Sequence, residues 1–113
     1  MLVAERPWGS FKVLQEGDGY LVKEIRVRPG HRLSLQSHQN RSESWTFVRG
    51  DALVTLGDDS YKIGTLGQVF VPRGVKHRVE NVCTDVELVI VEVQLGDSLS
   101  EDDIVRYSDD YNR

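Results

Sequence analysis

The side chains able to carry chemistry are few, and their placement is informative. The chain has three histidines, His31, His38 and His77, and a single cysteine, Cys83. Gln36 and His38 are two apart, so on a strand they point to the same face. Glu43 follows a short connection, Gln39-Asn40-Arg41-Ser42, and can return to that face on the next strand. His77 comes after the turn sequence Pro72-Arg73-Gly74 and can close the set from a later strand. Together they offer one carboxylate, two imidazoles and one neutral amide oxygen. That combination suits one divalent ion: zinc first, with cobalt, manganese, nickel or iron also matched to it. Coordination positions left open to water would make such an ion a Lewis acid toward a substrate oxygen.

The elements that would position these groups are strands. Tyr20–Arg28 alternates, with Leu21, Lys23, Ile25 and Val27 on one face, before Pro29-Gly30 marks a turn. Leu33–His38, Trp45–Arg49, Ala52–Leu56, Gly67–Val71, His77–Val82 and Val86–Leu95 read as further strands. Gly50-Asp51 and Gly57-Asp58-Asp59 supply turns between them, and Gly30, Gly50 and Gly74 suit positive φ. The tail, Ser98–Tyr107, predicts a short helix, with Ser98 or Ser100 as N-cap before acidic first-turn residues. Short strands with frequent turn signals predict an all-β sandwich or barrel.

Bulk properties narrow the function classes. The 113 residues are 39% hydrophobic and 28% charged, enough for one domain, taken here as 1–113, with its own core. No apolar run approaches the roughly 20 residues needed to span a bilayer, and Met1–Arg6 lacks the pattern of a secretory signal. One cysteine permits no intrachain disulfide, which fits a cytoplasmic setting. A net charge of −4 argues against a dedicated nucleic-acid binder. A small anionic metabolite, which one or two local cations can hold, remains compatible.

At this point the chain resembles the cupin superfamily. Gly30, Gln36, His38, Glu43 and Gly50 fall at the spacing of the first cupin motif, with Gln36 where that motif has a histidine. Pro72, Gly74, His77 and Asn81 fit the second motif, with Gly67 one residue closer to the proline than the pattern. Arg6-Pro7-Trp8-Gly9-Ser10, Leu33-Ser34-Leu35-Gln36 and Arg41-x-Glu43-x-Trp45 look like the type II mannose-6-phosphate isomerase domain. So do Gly74–Asn81 and the tail Glu101–Tyr107. In that family the domain often sits behind a mannose-1-phosphate guanylyltransferase domain; here it would stand alone. Where relatives commonly carry further histidines, this chain has Gln39, Asn40 and Ser44.

The resemblance implies a cupin double-stranded β-helix (jelly roll) and a metal held by Gln36, His38, Glu43 and His77. The implied reaction is interconversion of mannose 6-phosphate and fructose 6-phosphate. Arg41, between two ligand positions, and Lys23, facing inward with Ile25 and Val27, would place the phosphate or offset negative charge. Glu92, a polar position in the apolar run Val86–Leu95, is a candidate proton shuttle or half of a structural ion pair; a hydroxide held by the ion is the other choice of base. Two other functions compete: a non-catalytic cupin binding a sugar phosphate or sugar nucleotide, and metal-dependent oxygen chemistry. Leu33 and Leu35, read as facing away from Gln36 and His38, point to a covering segment or a homodimer partner.

Overall fold

The computed structural model describes residues 2–112. Among them are eleven strands in two antiparallel sheets and no helix. The strands are β1 (Val3–Arg6), β2 (Gly9–Gly17), β3 (Tyr20–Val27), β4 (Leu35–Ser37), β5 (Ser42–Arg49) and β6 (Ala52–Leu56). They continue with β7 (Asp59–Ile63), β8 (Gln68–Val71), β9 (His77–Asn81), β10 (Leu88–Leu95) and β11 (Val105–Ser108). One sheet runs β1-β2-β3-β10-β5-β8 and the other β11-β4-β9-β6-β7.

Alternation decides which side chains meet. On β3, Lys23, Ile25 and Val27 are buried, the parity that the sequence predicts. On β5, Glu43, Trp45 and Phe47 turn inward, and on β9 His77, Val79 and Asn81 do so. The apolar members fill one core between the sheets, where Phe47, Val27, Val54 and Leu88 have no exposed surface. Burying a side chain such as Phe47 or Leu88 stabilises the fold by about 1.5–3 kcal/mol. The inward polar residues gather at the other end of the same interior face.

The second motif's Asn81 is a staple. Its Nδ2 donates to the carbonyls of Val27 and Val86, both at 2.9 Å, and its Oδ1 accepts from the Cys83 N–H at 2.9 Å. Gly74, at φ +76°, turns the chain into β9, and its N–H donates to the His38 carbonyl at 2.8 Å. That bond ties the turn before one histidine to the backbone of the other.

Two expectations need correction. No helix forms over Ser98–Tyr107. Ser100 does begin a turn, its Oγ accepting from the Asp102 N–H at 3.1 Å, but the chain then extends into β11. The tail lacks an apolar helical stripe, whereas β4 presents an edge that Val105 and Arg106 pair with, opposite Ser37 and Gln36. The second correction concerns Leu33, which packs against the core rather than facing outward. Regular β4 starts only at Leu35, and the irregular segment before it breaks the alternation on which the outward assignment rests.

Candidate metal centre

Three registers bring the polar groups together. Gln36 on β4 pairs with His77 on β9. Gln94 on β10 pairs with Glu43 on β5, while Glu92 lies between Lys23 of β3 and Trp45 of β5. Directly opposite residues in an antiparallel pair share a face, so both sheets send these side chains into one interior cavity. Glu101 and Ile104, from the segment 98–104, line its side, and His38 lies just beyond β4. Gln36, Arg41, Glu43, His77, Lys23 and Glu92 all line this cavity, which with its open mouth measures about 650 Å³.

His38, Glu43 and His77 are buried, and they offer ligand atoms that all lie within 4.8 Å of one another. Both imidazoles are oriented by backbone. His38 Nδ1 lies 2.7 Å from the Asp103 carbonyl and His77 Nδ1 lies 3.0 Å from the Val75 carbonyl. A carbonyl only accepts, so each Nδ1 must carry the proton and each Nε2 turns a lone pair toward Glu43. The separations are 3.3 Å from His38 Nε2 to Glu43 Oε2 and 3.8 Å from His77 Nε2 to Glu43 Oε1. Burial, reinforced by the Arg41 charge, lowers the His38 pKa to about 4; burial also lowers that of His77. Both are therefore neutral at pH 7, the form that coordinates a metal.

Gln36 Nε2 donates to Ser34 Oγ at 2.9 Å, which aims the amide and leaves Oε1 as its free donor oxygen. Two neutral imidazoles, a carboxylate and an amide oxygen fit a divalent ion such as zinc, manganese, iron, cobalt or nickel. Arg41 is the surprise within this set. Its Nε donates to Glu43 Oε2 at 2.8 Å and its Nη2 to His38 Nε2 at 3.1 Å. An ion taking the His38 lone pair must take it from Arg41, which would leave the guanidinium free to turn toward a bound oxyanion. Trp45 Nε1 holds the other oxygen of Glu43 at 3.0 Å.

Lys23 and Glu92 are both buried and opposite one another, but they do not form the pair that their register suggests. Lys23 Nζ instead binds Glu101 Oε1 at 2.7 Å, and Glu92 Oε1 accepts from Gln94 Nε2 at 2.7 Å. Burial and the neighbouring Glu43 charge raise the Glu92 pKa to about 7. In the metal-free fold this carboxyl therefore keeps its proton over a window, from about 4.5 to 7, in which the unfolded chain has lost it. The folded state holds more protons there, so the Glu92 contribution makes stability fall as pH rises through that window. His38 acts oppositely between about 4 and 6.5, where the unfolded chain holds the extra proton. Glu92→Gln should accordingly gain stability over the parent between pH 5 and 8, read as the difference in urea midpoints of the two metal-free proteins. A constant difference across that range would contradict the assignment.

Asp103 lies in the tail that carries the resemblance, but no role for it is legible in the sequence. Its carbonyl is the acceptor for His38, while its carboxylate takes the N–H groups of Gln39 and Asn40, both at 2.9 Å. One residue thus orients the histidine and pins the loop that follows it. Groups that hold a ligand histidine by its other nitrogen are typically worth about 10–100-fold in metal affinity. Asp103→Ala keeps the carbonyl that His38 uses but frees the loop at Gln39 and Asn40, so it should weaken metal binding by about tenfold in a chelator competition, whereas unchanged affinity would remove the positioning role of the carboxylate. The remaining histidine, His31, lies apart from the centre, with its ring stacked 6.2 Å from Tyr111.

Comparison with known proteins gives the family and the fold. A family described as "Mannose-6-phosphate isomerase C-terminal" matches residues 2–109. The chain belongs to the mannose-6-phosphate isomerase C-terminal family. Among the relatives of this family member is a mannose-1-phosphate guanylyltransferase of Escherichia coli K12, 42% identical over 108 residues, 96% of this chain and 22% of that protein. The chain thus spans about a fifth of the length of that relative. The fold is a cupin. The cupin domain of Schizosaccharomyces pombe Cnp3 superposes with a TM-score of 0.72 at 17% identity, covering 78% of this chain and 64% of that one. Oxalate decarboxylase of Bacillus subtilis superposes at 0.82 and 17% identity, covering 94% and 30% respectively. Among the described residues no helix is long and apolar enough to cross a membrane.

Proposed function

We propose that this domain interconverts mannose 6-phosphate and fructose 6-phosphate with one divalent ion held by Gln36, His38, Glu43 and His77. The observation that carries the reading is a metal-competent triad, two of whose members, Glu43 and His77, line the same cavity as Glu92, a buried carboxyl whose pKa burial raises. When bound, the ion supplies Lewis-acid polarisation of the carbonyl and hydroxyl oxygens at C1 and C2 of the sugar. Glu92 is the base: it takes the proton from C2 of the aldose and returns it to C1, passing through an enediol of the sugar. Burial raises the pKa of this carboxyl, which favours a group that can both take and return a proton. Arg41 and Lys23 contribute positive charge on the cavity wall, suited to an anionic sugar phosphate.

A binding-only cupin draws its motive from the missing histidines at Gln39, Asn40 and Ser44. Gln39 and Asn40 are exposed, Ser44 has the parity opposite to Glu43, and none of the three lines the cavity. Their identity therefore takes nothing away from the groups that would act on substrate. The reaction is tested by running it in deuterium oxide from fructose 6-phosphate. Deuterium at C2 of the mannose 6-phosphate formed supports proton transfer through Glu92; complete retention of substrate hydrogen in the product rules out a solvent-exchanging enediol.

A further inference from the structure

Lys23 is buried, its side chain only 8% exposed, and a buried ammonium requires an anionic partner. The neighbour expected from the sheet is Glu92, directly opposite. Yet the carboxylate that reaches Lys23 comes from Glu101, 78 residues away on the 98–104 segment, and that side chain is 63% exposed. Two other features surround this contact. The ring of Phe11 lies under the ammonium, 4.1 Å from Nζ, and Arg6 stacks on the same ring at 4.9 Å. Arg41 faces the segment too, its Nη1 donating to the Ser100 carbonyl at 3.5 Å. Partial burial pushes the Glu101 pKa up, but the hydrogen bond from Lys23 and the charges of Lys23, Arg41 and Arg6 outweigh it and leave the value below the ordinary one. A single carboxylate, carried on a loop at the cavity wall, thus sits where three cations converge.

We propose that Glu101 occupies an anion-recognition point of the cavity, formed by Lys23 with Arg6 and Arg41, and that the phosphate monoester of the substrate takes its place. The identity of the anion as a sugar phosphate rests on the function proposed above; the existence of the anion point does not. The exchange is favourable in kind. A phosphate dianion carries about twice the charge of a carboxylate and offers three acceptor oxygens, so it can satisfy Lys23 and both guanidinium groups together. Glu101, largely in water, gives up a screened ion pair and regains its hydration, so its release costs little. The loop carboxylate then has two effects. It keeps Lys23 paired whenever the cavity holds no substrate, and it sets a threshold that uncharged sugars cannot pass, because they bring nothing to replace it.

The test titrates inorganic phosphate, mannose 6-phosphate and mannose into the chelator-treated protein, comparing the parent with Glu101→Gln by calorimetry. Removing the competing charge should tighten inorganic phosphate and mannose 6-phosphate alike, by about fivefold, and leave mannose unchanged. Lys23→Met should abolish phosphate binding in either background. Equal affinities for phosphate in the parent and Glu101→Gln would overturn the proposal, as would a gain shared by mannose or no phosphate binding by either protein. Because Glu101 lies on an exposed loop, its variant tests the idea without disturbing the core. The two readings also fail separately. Tighter phosphate without any isomerase turnover keeps the anion point and removes the reaction, while turnover with phosphate affinity indifferent to Glu101 does the reverse.

Discussion

Glu92→Gln is expected to lower kcat for mannose 6-phosphate isomerisation by about 10²–10³-fold while metal content and KM stay close to those of the parent. General acid–base catalysis by a positioned side chain contributes in this range. The substitution is close in shape: Glu92 is buried and accepts from Gln94, and an amide oxygen can keep that bond. What it cannot do is take a proton from carbon. Stopped-flow turnover together with metal analysis separates the outcomes. A kcat within threefold of the parent would transfer the base to another group; a parallel loss of bound metal would make Glu92 a support for Glu43 instead.

His38→Ala and His77→Ala should each weaken metal binding by at least about 100-fold, more than the loss expected at their supporting residues. Each imidazole is held toward the centre by a backbone carbonyl on its other nitrogen, so its alanine variant removes an oriented lone pair. His31, held by the Pro29 carbonyl and stacked on Tyr111, serves as the control: its alanine variant should retain the parent's metal stoichiometry. Stoichiometry unchanged in both His38→Ala and His77→Ala, measured by elemental analysis after dialysis, would remove the metal centre as drawn.

The way these residues come together shows what is legible in a sequence. Period-two alternation gives the face of each strand, so the inward sense of Lys23, Glu43, Trp45 and His77 follows directly from position. The strands found this way are those with one buried face. β7 was hidden because its residues are almost all exposed and no alternation marks them; Asp59 reads as turn and is in fact strand. β11 was hidden because its pairing depends on the distant edge of β4, while its local composition suggests a capped helix. Long-range pairings of this kind leave no trace in local propensity.

The same limit applies within the site. Residue types and spacing single out His38 and His77 as candidate ligands, but their tautomers depend on the carbonyls of Asp103 and Val75, and backbone acceptors have no sequence signature. Arg41 could be placed near the centre from its position between two ligands. That it binds Glu43 and His38 at once is a matter of side-chain reach. Lys23 illustrates the difference most clearly: its inward sense is local, whereas its partner, Glu101, is decided by where the tail crosses the cavity.

The most direct measurement is a coupled assay of mannose 6-phosphate to fructose 6-phosphate, on chelator-stripped protein reloaded separately with zinc, cobalt, manganese, nickel and iron. The account predicts turnover that requires one of these ions and disappears in His38→Ala. Absence of turnover with every ion, despite confirmed loading of the parent protein, would contradict it.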